Sequence, residues 1–149
     1  MTHSELVKAA QKWLLKTQSC SFALAELVTY LPEIPDAIGF SHQRSILVEC
    51  KASRADFLAD KKKYFRRIPQ EGLGDFRYFM VEDGLIKPEE VPQKWGLIYV
   101  KNGRCNVKVK AEYLGGNLKS ERMLLTSALR RVHLRGDLEK IYDVKTLNG

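Results

Sequence analysis

The segment from Ser45 to Lys51 constrains the fold most strongly, because it is an apolar run that ends in two charged side chains. Its side chains alternate as they do on a strand, so that Leu47, Glu49 and Lys51 share one face. A strand that is apolar on both faces is typical of the centre of a sheet. We therefore expect a carboxylate and an ammonium group to stand together, partly removed from water, at the end of a central strand.

A second acidic residue, Asp36, follows Pro35 and precedes Glu49 by 13 positions. If the residues around Asp36 form the preceding antiparallel strand, with the connection near residues 41–44, Asp36 lies close to opposite Glu49. Two neighbouring carboxylates repel each other, and a hard divalent cation such as Mg²⁺ relieves the repulsion. Lys51 can position a water or stabilise developing negative charge. An ordinary salt bridge between strands is the alternative, and the residues alone leave both interpretations open.

Glu26 is a candidate third carboxylate. We predict a strand over residues 20–27, because a helix immediately after the break near residue 18 would need a turn that the sequence does not supply. Glu26 then emerges from an apolar strand beside the Asp36 strand. It belongs either to the same cluster or to the solvent-exposed end of a strand.

A helix is predicted to follow the Lys51 strand. Ser53 can cap it, and Pro69 requires that it stop by about Arg67. Asp56 and Asp60 fall on one face of this helix. We expect them to orient Lys63 or Lys51.

The same helix carries candidate nucleic-acid contacts. Arg54 lies near its N-terminus, where it could bind phosphate directly. Part of the charge further along complements the helix dipole, but a face this basic beside a candidate metal site could also follow a phosphate backbone. The basic residues of that face are Lys61, Lys62, Lys63, Arg66 and Arg67.

The remaining pattern predicts an α/β fold, a single domain over residues 1–149 with a central mixed sheet flanked by helices. Ser4 is predicted to cap a first helix, and Asn117 a last helix over about residues 117–135. Strands are expected over residues 76–81, 95–100 and 104–110, and Asn102-Gly103 indicates a tight hairpin between the last two. The core is expected over about residues 4–110.

Composition narrows the choice of partners and location. The chain has 149 residues and a formal charge of +7, from 25 basic and 18 acidic side chains, which favours a polyanionic partner. No apolar run approaches the roughly 20 residues that span a bilayer. The first residues do not resemble a signal peptide, and three cysteines without metal-site spacing indicate reduced thiols in a cytoplasmic protein.

Pro35-Asp36, followed by Glu49-Cys50-Lys51, resembles the signature of the PD-(D/E)XK nuclease superfamily. Residues 47–63 are similar to the segment after the catalytic strand in MmcB-type DNA repair proteins and in related small phage and prophage proteins. Residues 72–79 and 84–88 are also similar to the phage-type group. The resemblance covers roughly residues 20–110.

The resemblance implies a restriction-endonuclease-like fold and the activity of a Mg²⁺-dependent deoxyribonuclease. It favours an endonuclease over an exonuclease. The implied role is in DNA repair, recombination or phage DNA metabolism. Asp36, Glu49 and the backbone carbonyl of Cys50 would hold Mg²⁺, with Mn²⁺ as an alternative. Lys51 would orient the attacking water, and Glu26 would assist. DNA is favoured over RNA, and a homodimer could cut both strands. The alternative function is a catalytically inactive nucleic-acid-binding module or adaptor on the same scaffold.

Overall fold

The computed structural model describes residues 1–142, which form a six-stranded sheet with helices packed on both faces. This architecture confirms the predicted α/β class with a central mixed sheet. The strands are β1 (Phe22–Ala25), β2 (Ala37–Phe40), β3 (Ser45–Cys50), β4 (Phe76–Glu82), β5 (Gly96–Lys101) and β6 (Arg104–Val109). The helices are α1 (His3–Lys16), α2 (Arg54–Asp60), α3 (Tyr64–Arg67) and α4 (Leu118–Leu134), with 3-10 turns at Pro69–Glu71, Pro88–Glu90 and Leu138–Tyr142.

The strands lie in the sheet in chain order, and β3 is in the interior. Strand β2 is antiparallel to both β1 and β3, whereas β3, β4 and β5 are parallel to one another. Ala37 pairs with Val48 in the β2–β3 ladder. Asp36 and Glu49 therefore meet at the next level of that ladder, as predicted.

The predicted hairpin at Asn102-Gly103 joins β5 and β6. Both residues have positive φ, 50° and 74°, as a two-residue turn that matches strand twist requires. Asn117 caps α4 as predicted, by accepting a hydrogen bond from the Ser120 backbone amide at 2.9 Å. Within the described residues, no helix is long and apolar enough to cross a bilayer.

Two apolar cores cover the two faces of the sheet. On β3, Val48 and Cys50 belong to the core beneath α1, and Leu47 belongs to the opposite core, which includes Phe57 of α2. Glu49 follows Leu47 by two positions, so its carboxylate faces the α2 side. The strand thus carries a charged group into a layer that is otherwise apolar.

Helix α1 begins earlier than predicted, because Thr2 rather than Ser4 caps it. The Thr2 hydroxyl accepts a hydrogen bond from the Glu5 amide, and the Glu5 carboxylate accepts one from the Thr2 amide, at 3.2 and 2.7 Å. This capping box places His3 in the first turn. His3 precedes the buried Leu6 and Val7 by three and four positions, so it lies on the side of α1 that faces the sheet.

The single helix predicted to run to about Arg67 is wrong, because the chain forms α2 and α3 with residues 61–63 between them. On one continuous helix, Asp60 and Arg66 would point about 120° apart, since each residue turns the helix by about 100°. The break instead lets Arg66 turn back to Asp60, at 2.7 Å. The ion pair therefore depends on the interruption.

Candidate active site

Asp36 and Glu49 lie in contact where β2 begins and β3 ends. Asp36 Oδ2 accepts a hydrogen bond from the Cys50 backbone amide at 2.7 Å. The Asp36 side chain is 17% exposed, whereas that of Glu49 is 2% exposed. Burial raises the pKa of Glu49 well above its usual value; Arg66 opposes the rise, and the charge of Asp36 together with its side-chain hydrogen bond to Glu49 adds to it.

Arg66 is the centre of a buried ion-pair group that we call the Arg66 network. Its guanidinium lies 2.6 Å from Glu33 Oε2, 2.9 Å from Glu49 Oε1 and 2.7 Å from Asp60 Oδ2, and its side chain is 5% exposed. Burial acts to lower the pKa of Arg66, but the three carboxylates outweigh it and raise that pKa above the usual arginine value. Arg66 is therefore a permanent buried cation.

Lys51 joins the Arg66 network through Asp60. Its Nζ lies 2.9 Å from Asp60 Oδ1, which confirms the predicted pairing, and Nζ of Lys63 lies 3.2 Å from the same oxygen. Burial acts to raise the pKa of Asp60, but Arg66 and Lys51 outweigh it and lower the pKa. Among the ion pairs of residues 1–142 none involves Asp56, so of the two predicted aspartates Asp60 alone pairs with a lysine.

Part of the Arg66 network is electrostatically paired without a hydrogen bond. Within the described chain, Glu49 Oε1, Asp60 Oδ1 and Arg66 Nη2 are buried and have no hydrogen-bond partner. Buried polar atoms rarely lack a hydrogen-bond partner, because each such atom lowers stability by about 1–3 kcal/mol. These atoms face charged neighbours at angles too poor for a hydrogen bond.

The second part of the site is more open, and we call it the Asp36 end; it comprises His3, Glu26 and Asp36. His3 Nε2 lies 3.0 Å from Glu26 Oε1 and 3.4 Å from Asp36 Oδ1. One ligand atom from each residue lies within 4.8 Å of the other two. The His3 and Glu26 side chains are 43% and 56% exposed, so solvent reaches this end.

Glu26 is held at the Asp36 end by an unusual backbone conformation. Its φ is +51°, in the left-handed region that side chains other than glycine rarely adopt. Its amide is directed towards the carbonyls of Pro35 and Asp36, at 3.0 and 3.1 Å. Such a conformation costs on the order of 1 kcal/mol, and it persists here because the surrounding chain fixes it.

The four residues predicted to carry the chemistry surround Cys50. Burial raises the pKa of the Cys50 thiol; Asp36, Glu49 and Glu26 add to the rise, and Lys51 opposes it. The thiol is therefore protonated at neutral pH, which excludes it as a nucleophile. The structure brings the four together, but Glu49 and Lys51 are buried in the Arg66 network whereas Asp36 and Glu26 are accessible.

The predicted nucleic-acid contacts divide into exposed and buried groups. The prediction for Arg66 is wrong, because its buried guanidinium is engaged with three carboxylates and cannot reach a phosphate backbone. Arg54 is exposed but forms a bidentate ion pair with Glu90, at 2.6 and 2.9 Å. The other predicted contacts are exposed at the break between α2 and α3 and at the end of α3, namely Lys61, Lys62, Lys63 and Arg67.

A cavity of about 390 Å³ opens beside the Arg66 network. Asp60 and Arg66 contribute to its wall, and Lys61 and Arg67 lie at its basic side. Trp95 lines its apolar part and lies under the Arg66 guanidinium, 4.7 Å from the ring centroid. The network therefore has an opening beside it on the face that carries exposed lysines.

Sequence reasoning missed His3 and Glu33 and misjudged Arg66. His3 had a detectable signal, because it continues the buried stripe of α1 that includes Leu6 and Val7. Glu33 lies between Pro32 and Pro35 in a stretch without periodicity, so nothing in the pattern indicated that it is buried. The inward turn of Arg66 depended on a helix break that no proline or glycine marks.

No protein-family model matches the chain, and no curated protein matches it. A solved structure of a protein of unknown function from Silicibacter pomeroyi is similar in fold, with a TM-score of 0.68 and 21% sequence identity. The match covers 93% of this chain and 94% of that chain. At this level of identity the likeness concerns the fold alone.

Proposed function

We propose that this protein is a metal-dependent nuclease that hydrolyses phosphodiester bonds in DNA at the Asp36 end of β3. One observation carries the proposal. Asp36 and Glu49, 13 positions apart in the chain, are in side-chain contact near Lys51, and solvent reaches the Asp36 side of the pair, where the Asp36 side chain is 17% exposed. Carboxylates and a lysine at a strand end are the groups that metal-assisted phosphodiester hydrolysis requires.

The residues present fit a hard divalent cation. Glu49 is buried against Asp36, and paired carboxylates are ligands of Mg²⁺ and Mn²⁺. Asp36, Glu49 and the Cys50 carbonyl would hold the ion. When bound, the ion would neutralise charge that develops on the phosphate oxygens.

The protein's own groups position the reactants. Asp60 fixes Lys51 as a buried ammonium, which we assign to orient the attacking water. Arg66 fixes the Glu49 carboxylate from the side opposite Asp36. Glu26 assists from the exposed side. Each group is held by an ion pair or a backbone contact, so little reorganisation is needed during the reaction.

The exposed basic residues would bind the DNA backbone without reading its sequence, because phosphate contacts position a protein but do not specify bases. Lys61, Lys62 and Arg67 lie beside the cavity at the Arg66 network or next to it in the chain. Arg54 joins them if it leaves Glu90. The net charge of +7 has the sign that this interaction needs.

The proposal is tested with a panel of double-stranded, single-stranded, branched and RNA substrates in Mg²⁺, Mn²⁺ or EDTA. Asp36→Asn and Lys51→Ala should each lower cleavage by a factor on the order of 100 or more, because each removes a positioned catalytic group. Lys101→Ala is the matched control, since Lys101 is an exposed lysine at the end of β5. Failure of the wild-type protein to cut any substrate in either metal contradicts the proposal.

A second function is favoured by a specific observation. Glu49 and Lys51 are both engaged, with Arg66 and Asp60, which is a closed arrangement for catalytic groups. An inactive DNA-binding module would bind with an affinity that falls as salt rises and that EDTA does not change. Filter binding at several salt concentrations, with and without EDTA, separates this function from the nuclease.

A further inference from the structure

We propose that His3 and Glu26 complete a cation site on Asp36, and that this site takes a first-row divalent transition-metal ion such as Mn²⁺ in preference to Mg²⁺. The inference shares Asp36 with the proposed nuclease function and deepens it by naming the class of metal. It adds to the site a residue of α1, whereas Glu26 directly follows β1 and Asp36 directly precedes β2.

The spacing of the ligand atoms fits a single ion. Bonds of about 2.1 Å from a metal to two ligands put those ligands about 3.0 Å apart at a right angle and about 3.4 Å apart at a tetrahedral angle. His3 Nε2 lies 3.0 Å from Glu26 Oε1 and 3.4 Å from Asp36 Oδ1. Both pairs can therefore bind one ion with little movement.

The charge behind Asp36 is a second, independent indication of a cation. Glu49 lies against Asp36 and is almost completely buried, and its Oε1 is paired with Arg66 Nη2 at 2.9 Å. Arg66, the cation beside Glu49, is already shared with Glu33 and Asp60. Glu26 and Asp36 themselves have no lysine or arginine as an ion-pair partner among residues 1–142, so a bound cation would supply their counter-charge.

The imidazole decides the class of metal. Mg²⁺ prefers oxygen ligands and keeps several waters, so a nitrogen donor adds little to its affinity. Transition-metal ions accept imidazole nitrogen readily and bind more tightly along the series that begins with Mn²⁺. His3 also lies where the metal can be approached from solvent, because its side chain is 43% exposed.

The test uses the untagged full-length protein, freed of metal with EDTA and then exchanged into buffer. Isothermal titration calorimetry with Mn²⁺ and separately with Mg²⁺ compares the wild type with His3→Gln, Glu26→Gln and the matched control His42→Gln. We expect Mn²⁺ to bind the wild type at least about tenfold more tightly than Mg²⁺. His3→Gln and Glu26→Gln should each weaken Mn²⁺ binding by about 10–100-fold, and His42→Gln should leave it unchanged.

Pulsed electron paramagnetic resonance of the Mn²⁺-loaded protein adds a direct signature. The wild type should show coupling to an imidazole nitrogen, and His3→Gln should lose it while its unfolding midpoint without metal stays that of the wild type. Equal Mn²⁺ affinity in wild type and His3→Gln, or no nitrogen coupling, overturns the inference.

The outcomes separate this inference from the nuclease function. If the wild-type protein cuts DNA but its Mn²⁺ affinity does not depend on His3, the nuclease function stands and His3 is not part of the metal site. His3-dependent Mn²⁺ binding by a protein that cuts no substrate keeps the metal site and contradicts the nuclease.

Discussion

The Arg66 network and the Asp36 end lie at the same end of β3, and both contain clustered carboxylates, but they are neutralised differently. Within the network, Glu33, Glu49 and Asp60 face the fixed cations Arg66, Lys51 and Lys63 at 2.6–3.2 Å. At the Asp36 end, the partner of Glu26 and Asp36 in the described structure is a histidine. One cluster is balanced by the chain, and the other is not.

The difference explains why the Asp36 end is the part of the candidate site that a cation can enter. A buried carboxylate must be paired, because an isolated buried charge costs several kcal/mol. The Arg66 network provides that pairing, but its carboxylates are closed to solvent. The Asp36 end is partly hydrated, so it tolerates a deficit of positive charge. A soluble cation or a phosphate-bound metal ion can enter there, while the network holds Glu49 and Lys51 in place.

The largest expected effect comes from disrupting the Arg66 network, the buried one of the two clusters. Arg66→Met should lower the free energy of unfolding by about 3–5 kcal/mol, because it leaves three carboxylates without their shared cation. Urea unfolding followed by circular dichroism measures the change. Arg54→Met, which breaks the exposed pair with Glu90, is the matched control and should leave the midpoint near that of the wild type. Similar losses in the free energy of unfolding for both variants would contradict the difference between the buried network and the exposed pair.

At the Asp36 end, the free energy of unfolding should instead depend on bound metal. With Mn²⁺ at 100 times its dissociation constant, the wild type should gain about 2.7 kcal/mol of stability, and Asp36→Asn should gain nothing. Without metal, Asp36→Asn should be as stable as the wild type or slightly more stable, because repulsion with Glu49 is removed and asparagine can still accept the Cys50 amide. A large loss of metal-free stability in this variant would show that Asp36 is structural.

Asp60 should give a smaller effect that depends on pH. Its folded pKa is lowered, so its ion pairs stabilise the fold above the unfolded value of about 4 and lose that contribution as pH falls through the folded pKa. Asp60→Asn should therefore cost about 1–3 kcal/mol at pH 7, and the gap to the wild type should close on acidification below about pH 4. Urea midpoints at pH 7 and pH 3 test this, and a gap that widens in acid would contradict it.

The smallest effect is expected at Arg54. The Arg54 side chain forms a hydrogen bond that lowers the pKa of Glu90 to about 2, so the pair is intact at neutral pH. Glu90→Gln should release Arg54 and raise DNA affinity by about two- to fivefold. The slope of log affinity against log salt concentration should steepen by the amount expected for about one additional phosphate contact. Fluorescence anisotropy at several salt concentrations measures both. Unchanged affinity would remove Arg54 from the DNA-binding surface.

The sheet was predictable because its signals are local. The apolar run of β3, the hairpin at Asn102-Gly103 and the Pro35-Asp36 break indicate strand order and the approach of Asp36 to Glu49. The pairing of Lys51 with Asp60 was also predictable, since a capped helix follows the strand directly. Period and turn chemistry are sufficient for these features.

The rest depends on long-range contacts that leave no local pattern. Arg66 turns inward only because Glu33, 33 positions away, and the break after Asp60 both favour it. His3 reaches Asp36 because a capping box begins α1 early and the helix then packs across the strands. Propensity treats both residues as surface positions, and tertiary packing overrides it.

The most direct test of the central claim is anomalous diffraction from crystals of the untagged protein soaked in Mn²⁺. The account predicts an anomalous peak bound to Asp36, about 2.1–2.3 Å from its carboxylate, with His3 Nε2 and a Glu26 oxygen at similar distances. Bound Mn²⁺ at other positions with no density beside Asp36, or a His3–Glu26 contact unchanged at saturating metal, would contradict it.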